Sequence, residues 1–268
     1  MDRVTIGNCT LYCGDCFEIL PRLKVCADAV ISDPPFGITS CEWDVTLPLD
    51  HFWKVVECKT KPTANFILFG CGKFSIDLVN SNHKWYRYDL IWHKNNKVGF
   101  LNANKMPLRN HESIMVFGQP GFRDAATYNP QKSPGGRAGI KTNNLRGGIY
   151  TCKGRFTSVS DGTLHPCSVL PFDSDKSKHP GQHPTQKPLA LMTFLVKSYS
   201  DEGDTVIDPF MGSGTTGVAA LQNNRRFIGI EKERQYFDVA CQRIRQAYSE
   251  HKGSSPVVRE MTKAKEFF

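Results

Sequence analysis

The stretch Asp204-Thr205-Val206-Ile207-Asp208-Pro209-Phe210-Met211-Gly212-Ser213-Gly214-Thr215-Thr216 leaves this chain few folds to choose from. An apolar run ends at Asp-Pro, and two glycines then permit a tight turn and a close backbone approach. Thr215, Thr216, Val218, Ala219, Ala220 and Leu221 continue with a helical pattern. Strand, glycine turn and helix in succession is how open α/β sheets build a ligand crevice at strand carboxyl ends. Shortly after, Arg226-Phe227-Ile228-Gly229-Ile230-Glu231 reads as the next strand and ends in an acid suited to ribose hydroxyls. The glycine spacing is not G-x-G-x-x-G, which weighs against a dinucleotide.

A second apolar run, Ala29-Val30-Ile31-Ser32, also reads as a buried strand and ends at Asp33-Pro34-Pro35-Phe36. Neither proline has an N–H, and each biases the residue before it towards an extended backbone. The Asp33 carboxylate and the Pro34 carbonyl are therefore presented at a strand end with few local donors to consume them. Phe36 adds a flat apolar ring beside the two acceptors. The combination suits a planar group carrying an NH2, such as an adenine edge. A Pro-Pro turn over a core phenylalanine is the plainer alternative.

Together the two stretches resemble the motifs of amino-group DNA methyltransferases. Asp33-Pro34-Pro35-Phe36 is similar to their DPPY/F catalytic motif, and Asp208 to Thr216 is similar to their S-adenosylmethionine motif, DPF-x-GSGTT. Catalytic motif first and cofactor motif last is the order of the family's beta group, whose Rossmann-like sheet is circularly permuted. The resemblance covers most of residues 4–118 and 183–248. It implies an α/β fold with a mainly parallel seven-stranded sheet and helices on both faces. It implies S-adenosylmethionine as cofactor and, as product, an adenine methylated on N6 after flipping out of a specific double-stranded DNA sequence.

By the same resemblance the catalytic residues are Asp33, Pro34, Pro35 and Phe36. The cofactor set is Asp15, Asp33, Lys187, Asp208, Phe210, Gly212, Ser213, Gly214, Thr215, Thr216 and Glu231. Glu231 is expected on the ribose and Asp15 on the cofactor adenine, although Asp15 also suits a helix N-cap. Lys187 is expected at the methionine carboxylate and Asp208 near the methionine amino or sulfonium group. Asp at the first motif position favours adenine-N6. Cytosine-N4 members usually carry Ser there, and RNA or protein-glutamine methyltransferases usually carry Asn. These activities, and a non-enzymatic DNA-binding module, are the alternatives. A homodimer and a cognate restriction nuclease are candidate partners.

The remaining sequence divides around these motifs. Residues 1–118 form the catalytic half, 119–182 an insertion, 183–250 the cofactor half and 251–268 a mobile tail. Strands are expected at 8–16, 29–32, 65–70, 86–92, 113–118, 205–208 and 226–231. Helices are expected at 49–59, 73–80, 188–200 and 236–247. Gly37 to Leu49, with Glu42, Trp43 and Asp44, reads as a loop over the site. Lys94 to Asn110, rich in Asn and Lys, reads as a loop that meets the target base or DNA phosphates, or is simply solvated. In 119–182 apolar periodicity nearly vanishes, and nine Lys/Arg against four Asp leave it at +5 of the chain's formal +8. This basic, irregular stretch is expected to recognise the DNA target, with phosphate contacts giving affinity and Tyr128, Tyr150 and Phe156 stacking on or wedging beside bases.

Met1-Asp2-Arg3 opens without an apolar run, and no stretch reaches the ~18–20 apolar residues of a membrane span. A cytoplasmic protein with reduced cysteines in its core is expected from ten scattered Cys. Cys13 and Cys16 form a C-x-x-C without a matching second pair, so no metal site is expected.

Overall fold

The computed structural model describes residues 2–37, 45–146, 153–174 and 186–253. Glu42, Trp43 and Asp44, the ring-bearing Tyr150, the cations Lys176 and Lys178, and the tail beyond 253 lie outside the described residues. The chain resolves into two compact units: residues 130–167, and everything on either side of them.

The larger unit is built on one sheet of nine strands: Asp2–Ile6 (β1), Cys9–Cys13 (β2), Ala27–Ser32 (β3), Thr60–Gly70 (β4), Tyr86–Val98 (β5), Arg109–Phe117 (β6), Val169–Pro171 (β9), Thr205–Asp208 (β10) and Arg226–Glu231 (β11). Their order across the sheet is β1-β2-β11-β10-β3-β4-β6-β5-β9. The run from β2 through β4 is parallel, and β6 is antiparallel to both its neighbours. The helices are Cys16–Ile19 (α1), Leu49–Glu57 (α2), Lys73–Ser81 (α3), Leu189–Tyr199 (α4), Thr215–Gln222 (α5) and Arg234–Gly253 (α6).

Central strands buried on both faces read as continuous apolar runs, and their side chains alternate between two cores. Ala29, Ile31, Ile67, Phe69 and Val206 point one way, onto Leu191 and Leu195 of α4, Val218 of α5 and Phe237 and Ile244 of α6. Val30, Phe66, Leu68 and Ile207 point the other way, onto Ile19 of α1, Phe52 and Trp53 of α2 and Phe74 and Leu78 of α3. Helices thus cover both faces.

The sheet has two strands more than the seven expected. Both are outermost, β1 at one edge and β9 at the other. Each buries only one residue, so neither carries the apolar pattern that marks an inner strand. The 94–110 segment is also less of a loop than its composition suggests. β5 runs on to Val98 and β6 starts at Arg109, with the ladder shifting register between His93 and Val98. Of the cysteines, Cys9, Cys16, Cys71 and Cys241 are buried as expected, but Cys26, Cys58 and Cys167 are exposed.

Within residues 130–167 the expected irregular stretch is a β-hairpin instead. Ser133–Arg146 (β7) pairs antiparallel with Lys153–Leu164 (β8), from Ser133 opposite Leu164 to Arg146 opposite Lys153. None of its described residues is buried; Ile140 and Val159, directly opposite each other, are both exposed. A strand with no buried face shows no alternation, so periodicity could not reveal it. The chain is pinned to the larger unit just before and just after this hairpin. The Asn129 amide donates to Ser198 O at 2.8 Å, and the Ile91 amide donates to Ser168 O at 2.8 Å.

What positions the site is the pairing of β3 with β10. They are parallel neighbours, with Ala29 beside Val206 and Val30 beside Ile207. Their carboxyl ends therefore emerge side by side, although Asp33 and Asp208 are far apart in the chain. From β10 the chain crosses through α5 to β11 on one side; from β3 it crosses through α2 to β4 on the other. The crevice between them is the switch point at which open α/β sheets bind ligands.

Candidate active site

A cleft of about 470 Å³ opens at this switch point. Asp33, Pro34, Pro35, Phe36, Asp15, Lys187, Asp208, Phe210, Gly212, Ser213, Thr215, Thr216 and Glu231 all border it. Gly214 is the one expected site residue that does not. It sits at φ +76°, and a Cβ there would lie 2.9 Å from that of Ala240. Its role is to turn the chain tightly while seating α5 against α6.

Asp208 is buried and fully engaged. Oδ1 accepts from Ser32 Oγ at 2.5 Å and from the Phe210 amide at 3.1 Å, and Oδ2 accepts from Thr216 Oγ1 at 2.6 Å. Burial pushes its carboxyl up to about 6, against the pull of these donors. Asp208 thus ties β3, β10 and α5 together, which is more than the role at the methionine end expected of it. Thr216→Val keeps the shape and strips Oδ2 of its donor. The expected result is a loss of about 1–3 kcal/mol in urea unfolding; an unchanged midpoint would show that the bond is dispensable.

Glu231, at the end of β11, accepts from the Gly212 amide on Oε2 (2.9 Å) and the Glu233 amide on Oε1 (2.8 Å). Each oxygen retains a lone pair. Burial raises the carboxyl to about 7 despite these two amides. Asp15 caps α1, its Oδ1 accepting from the Phe17 amide at 2.8 Å, and so combines the cap with a place on the cleft wall. Ser213 and Thr215 are clamped from α6: Arg243 Nη1 donates to Ser213 O (2.6 Å), Ser213 Oγ (2.9 Å) and Thr215 Oγ1 (3.0 Å). Ser213 Oγ donates in turn to Gln186 Oε1 at 3.0 Å.

Around Asp33 the structure departs from the expectation of few donors. Lys187 Nζ donates to Asp33 Oδ2 and stands 3.4 Å from Glu112 Oε2, while Lys94 Nζ donates to Glu112 Oε1. Asp33, Lys187, Glu112 and Lys94 form a row of alternating charge with no net charge, which offsets much of the cost of burying it. The Lys187 ammonium, expected at a methionine carboxylate, is held here by the two carboxylates. Burial pushes Asp33 above the ordinary carboxylate range, with Lys187 opposing. Burial also acts upwards on Glu112, but Lys187 and Lys94 outweigh it and hold Glu112 below that range. Asp33 Oδ1 is buried and has no hydrogen-bond partner among the described residues. Phe36 lies beside it on the cleft wall, its ring centroid 5.0 Å from that of Phe74.

Glu112, Lys94, Gln186 and Arg243 were not singled out by the sequence. For Glu112 a signal did exist: an acid that directly precedes Ser113 and the buried run Ile114–Phe117 needs a buried cation.

Residues 27–242 match the family model for N6/N4 DNA methylases, which covers most of the chain. The chain belongs to this DNA methylase family. Two curated relatives are type II methyltransferases. M2.DpnII of Streptococcus pneumoniae is 49% identical over 67 residues, a quarter (25%) of either chain. M.HinfI of Haemophilus influenzae is 27% identical over 266 residues, spanning 88% of this chain and 68% of its own length. Among solved structures, the M1.HpyAVI–SAM complex is similar at a TM-score of 0.61 and 25% identity, covering 88% of this methylase and 98% of that chain. The methylase match spans both halves of the sheet, so it includes Asp33 and Glu231 alike.

Proposed function

We propose that this DNA methylase transfers the methyl group of S-adenosylmethionine to the exocyclic N6 of an adenine flipped out of double-stranded DNA at a specific sequence. The observation that carries this reading is Asp33 Oδ1, a buried acceptor without a partner, in the same cleft as Glu231. Such an atom costs free energy unless a ligand supplies a donor.

The residues present fit the cofactor. The volume is that of a small-molecule site. Glu231 keeps a free lone pair on each oxygen for ribose hydroxyls, Asp15 stands on the same wall for an adenine amine, and Phe210 offers an apolar face. When bound, the cofactor supplies an electrophilic methyl on a sulfonium.

Asp33 Oδ1 accepts one N6–H of the target, and the Pro34 carbonyl accepts the other. These bonds favour a pyramidal amine and release its lone pair from the ring. The freed lone pair would be placed to accept the methyl that the bound cofactor would supply, the S–C electron pair staying with sulfur. The nitrogen, now cationic, is far more acidic and gives up its proton through Asp33 to solvent. Phe36 stacks on the base and offsets part of the cost of flipping. Lys187 occupies Oδ2, which leaves Oδ1 to the substrate and favours the ionised carboxylate.

Asp33 at the first motif position favours adenine over cytosine, whose N4 amine presents the same two hydrogens. Incubating unmethylated DNA with labelled S-adenosylmethionine and resolving the nucleosides by mass spectrometry decides between them: N6-methyladenine is expected, and N4-methylcytosine alone would overturn the assignment. The β7–β8 hairpin supports a DNA substrate. A two-stranded ribbon is marginal in water and is one of the shapes the major groove admits. It carries exposed Arg137 and Lys141, and target recognition is assigned to it. A second copy of the chain and a cognate restriction nuclease complete the proposed partners.

Glu231 makes cofactor affinity depend on pH. Its free carboxyl titrates at about 7, and ribose hydroxyls prefer the ionised form. Affinity is therefore full above pH 7 and weakens below it, by up to about tenfold at pH 6. Calorimetry with Glu231→Gln should show weaker binding and no such slope; an unaltered slope would place the titration elsewhere.

A further inference from the structure

We infer that the tip of the β5–β6 hairpin is an apolar wedge that enters the DNA base stack and holds it open beside the flipped nucleotide. This rests on the DNA-methylase reading of the cleft.

The tip carries Phe100, Leu101 and Met106, with 67%, 102% and 59% of their surface exposed. Large apolar side chains clustered within seven residues and more than half exposed are expected to meet something. The tip is a built structure. Gly99 turns the chain at φ +94°, and the amides of Asn102, Ala103, Lys105 and Met106 each bond backwards to Gly99, Phe100 or Asn102 oxygens at 2.8–3.1 Å. Leu101 is thus held outwards by a fixed backbone. The tip is also aimed by its base. After the register shift past His93, Val98 pairs with Arg109, and both residues line the cleft. The wedge therefore rises from the rim of the cleft that holds Asp33.

Charge selects the occupant. Lys97, Lys105 and Arg109 flank the three apolar side chains along the chain, and no acid occurs between Lys94 and Asn110. An apolar point in a basic collar matches stacked bases between phosphates. Architectural DNA-binding proteins insert Phe, Leu or Met between base steps in the same way, trading unstacking for contact. A docking site for another protein or a second copy would not need a collar of one sign.

The test uses the full chain and a duplex carrying the site mapped by long-read sequencing of DNA from cells expressing the wild type. Phe100→Ser/Leu101→Ser is compared with wild type on the paired duplex and on the same duplex with an abasic site opposite the target base. The variant is expected to lose about ten- to a hundredfold in single-turnover rate on the paired duplex. On the abasic duplex, where pairing no longer resists extrusion, it should return to within about threefold of wild type. Calorimetry should show unchanged S-adenosylmethionine affinity, which reports an intact fold. Equal losses on both duplexes, no loss on either, or a change of oligomeric state in gel filtration with flipping intact would each overturn the wedge. A wild type that methylates neither duplex would instead overturn the methylase reading on which it rests.

Discussion

Asp33→Ala is expected to lower methyl transfer by about a thousandfold or more, while cofactor affinity stays within a few-fold of wild type. The two effects separate because the site is divided between strands. Asp33 directly follows β3, whereas Glu231 and Asp15 line the cleft from the end of β11 and the start of α1. The loss on transfer should be large because Asp33 Oδ1 is a buried cleft oxygen left without a donor among the described residues. The substitution also leaves Lys187 with Glu112 as its remaining carboxylate, and a broken buried pair costs about 3–5 kcal/mol. Asp33→Asn is therefore the companion variant. It preserves volume and still offers an oxygen, but it cannot take up the proton and sets an NH2 or a neutral oxygen against the Lys187 ammonium. Both variants should be nearly inactive in single-turnover assays, with Asn the more stable on heating. Either variant turning over within tenfold of wild type would remove Asp33 from the chemistry.

Lys187→Met should have the next largest effect, and its signature is a displaced pH profile. Without the ammonium, the carboxylates of Asp33 and Glu112 face each other with Lys94 as the remaining cation. Burial and a like charge both favour the protonated acid. Burial already holds Asp33 above the ordinary carboxylate range, and removing Lys187 raises it further. In the proposed mechanism transfer requires the ionised form, so activity is expected to fall as pH drops through the Asp33 pKa. A higher pKa moves that loss to higher pH. The acid limb of the single-turnover rate should move to higher pH, with a loss at pH 7 that recovers in alkali. Adding Glu112→Gln removes the like charge and should bring the limb back down. A loss that is the same at every pH would mean that Lys187 merely supports the fold.

The seven inner strands were legible because their signal is local. Apolar runs such as Ala29–Ile31 and Val206–Ile207 are buried on both faces, and each ends in a turn written in Pro or Gly. The meeting of Asp33 with Glu231 was legible only through the family's motif order, since neither run names its neighbour in the sheet. Of the charge row only Glu112 left a signal, as an acid next to a buried run; its partners were not legible. Lys187 reaches Asp33 across 154 residues, and Lys94 sits in a segment whose composition reads as loop. A long-range ion pair leaves no periodic trace in a sequence. The β7–β8 hairpin was missed for a related reason: polar, glycine-rich strands with both faces in solvent carry no pattern by which to tell them from coil.

The two anchor points that flank that hairpin have a consequence for how such enzymes diverge. Asn129 and Ser168 fix where the chain leaves and rejoins the catalytic body. With entry and exit held by these two bonds, a change in the length of the hairpin need not move the Asp33 end of β3. On the proposed role of the hairpin in target recognition, drift there would re-address the methylase to new DNA sites while the cleft at the ends of β3 and β10 is inherited unchanged.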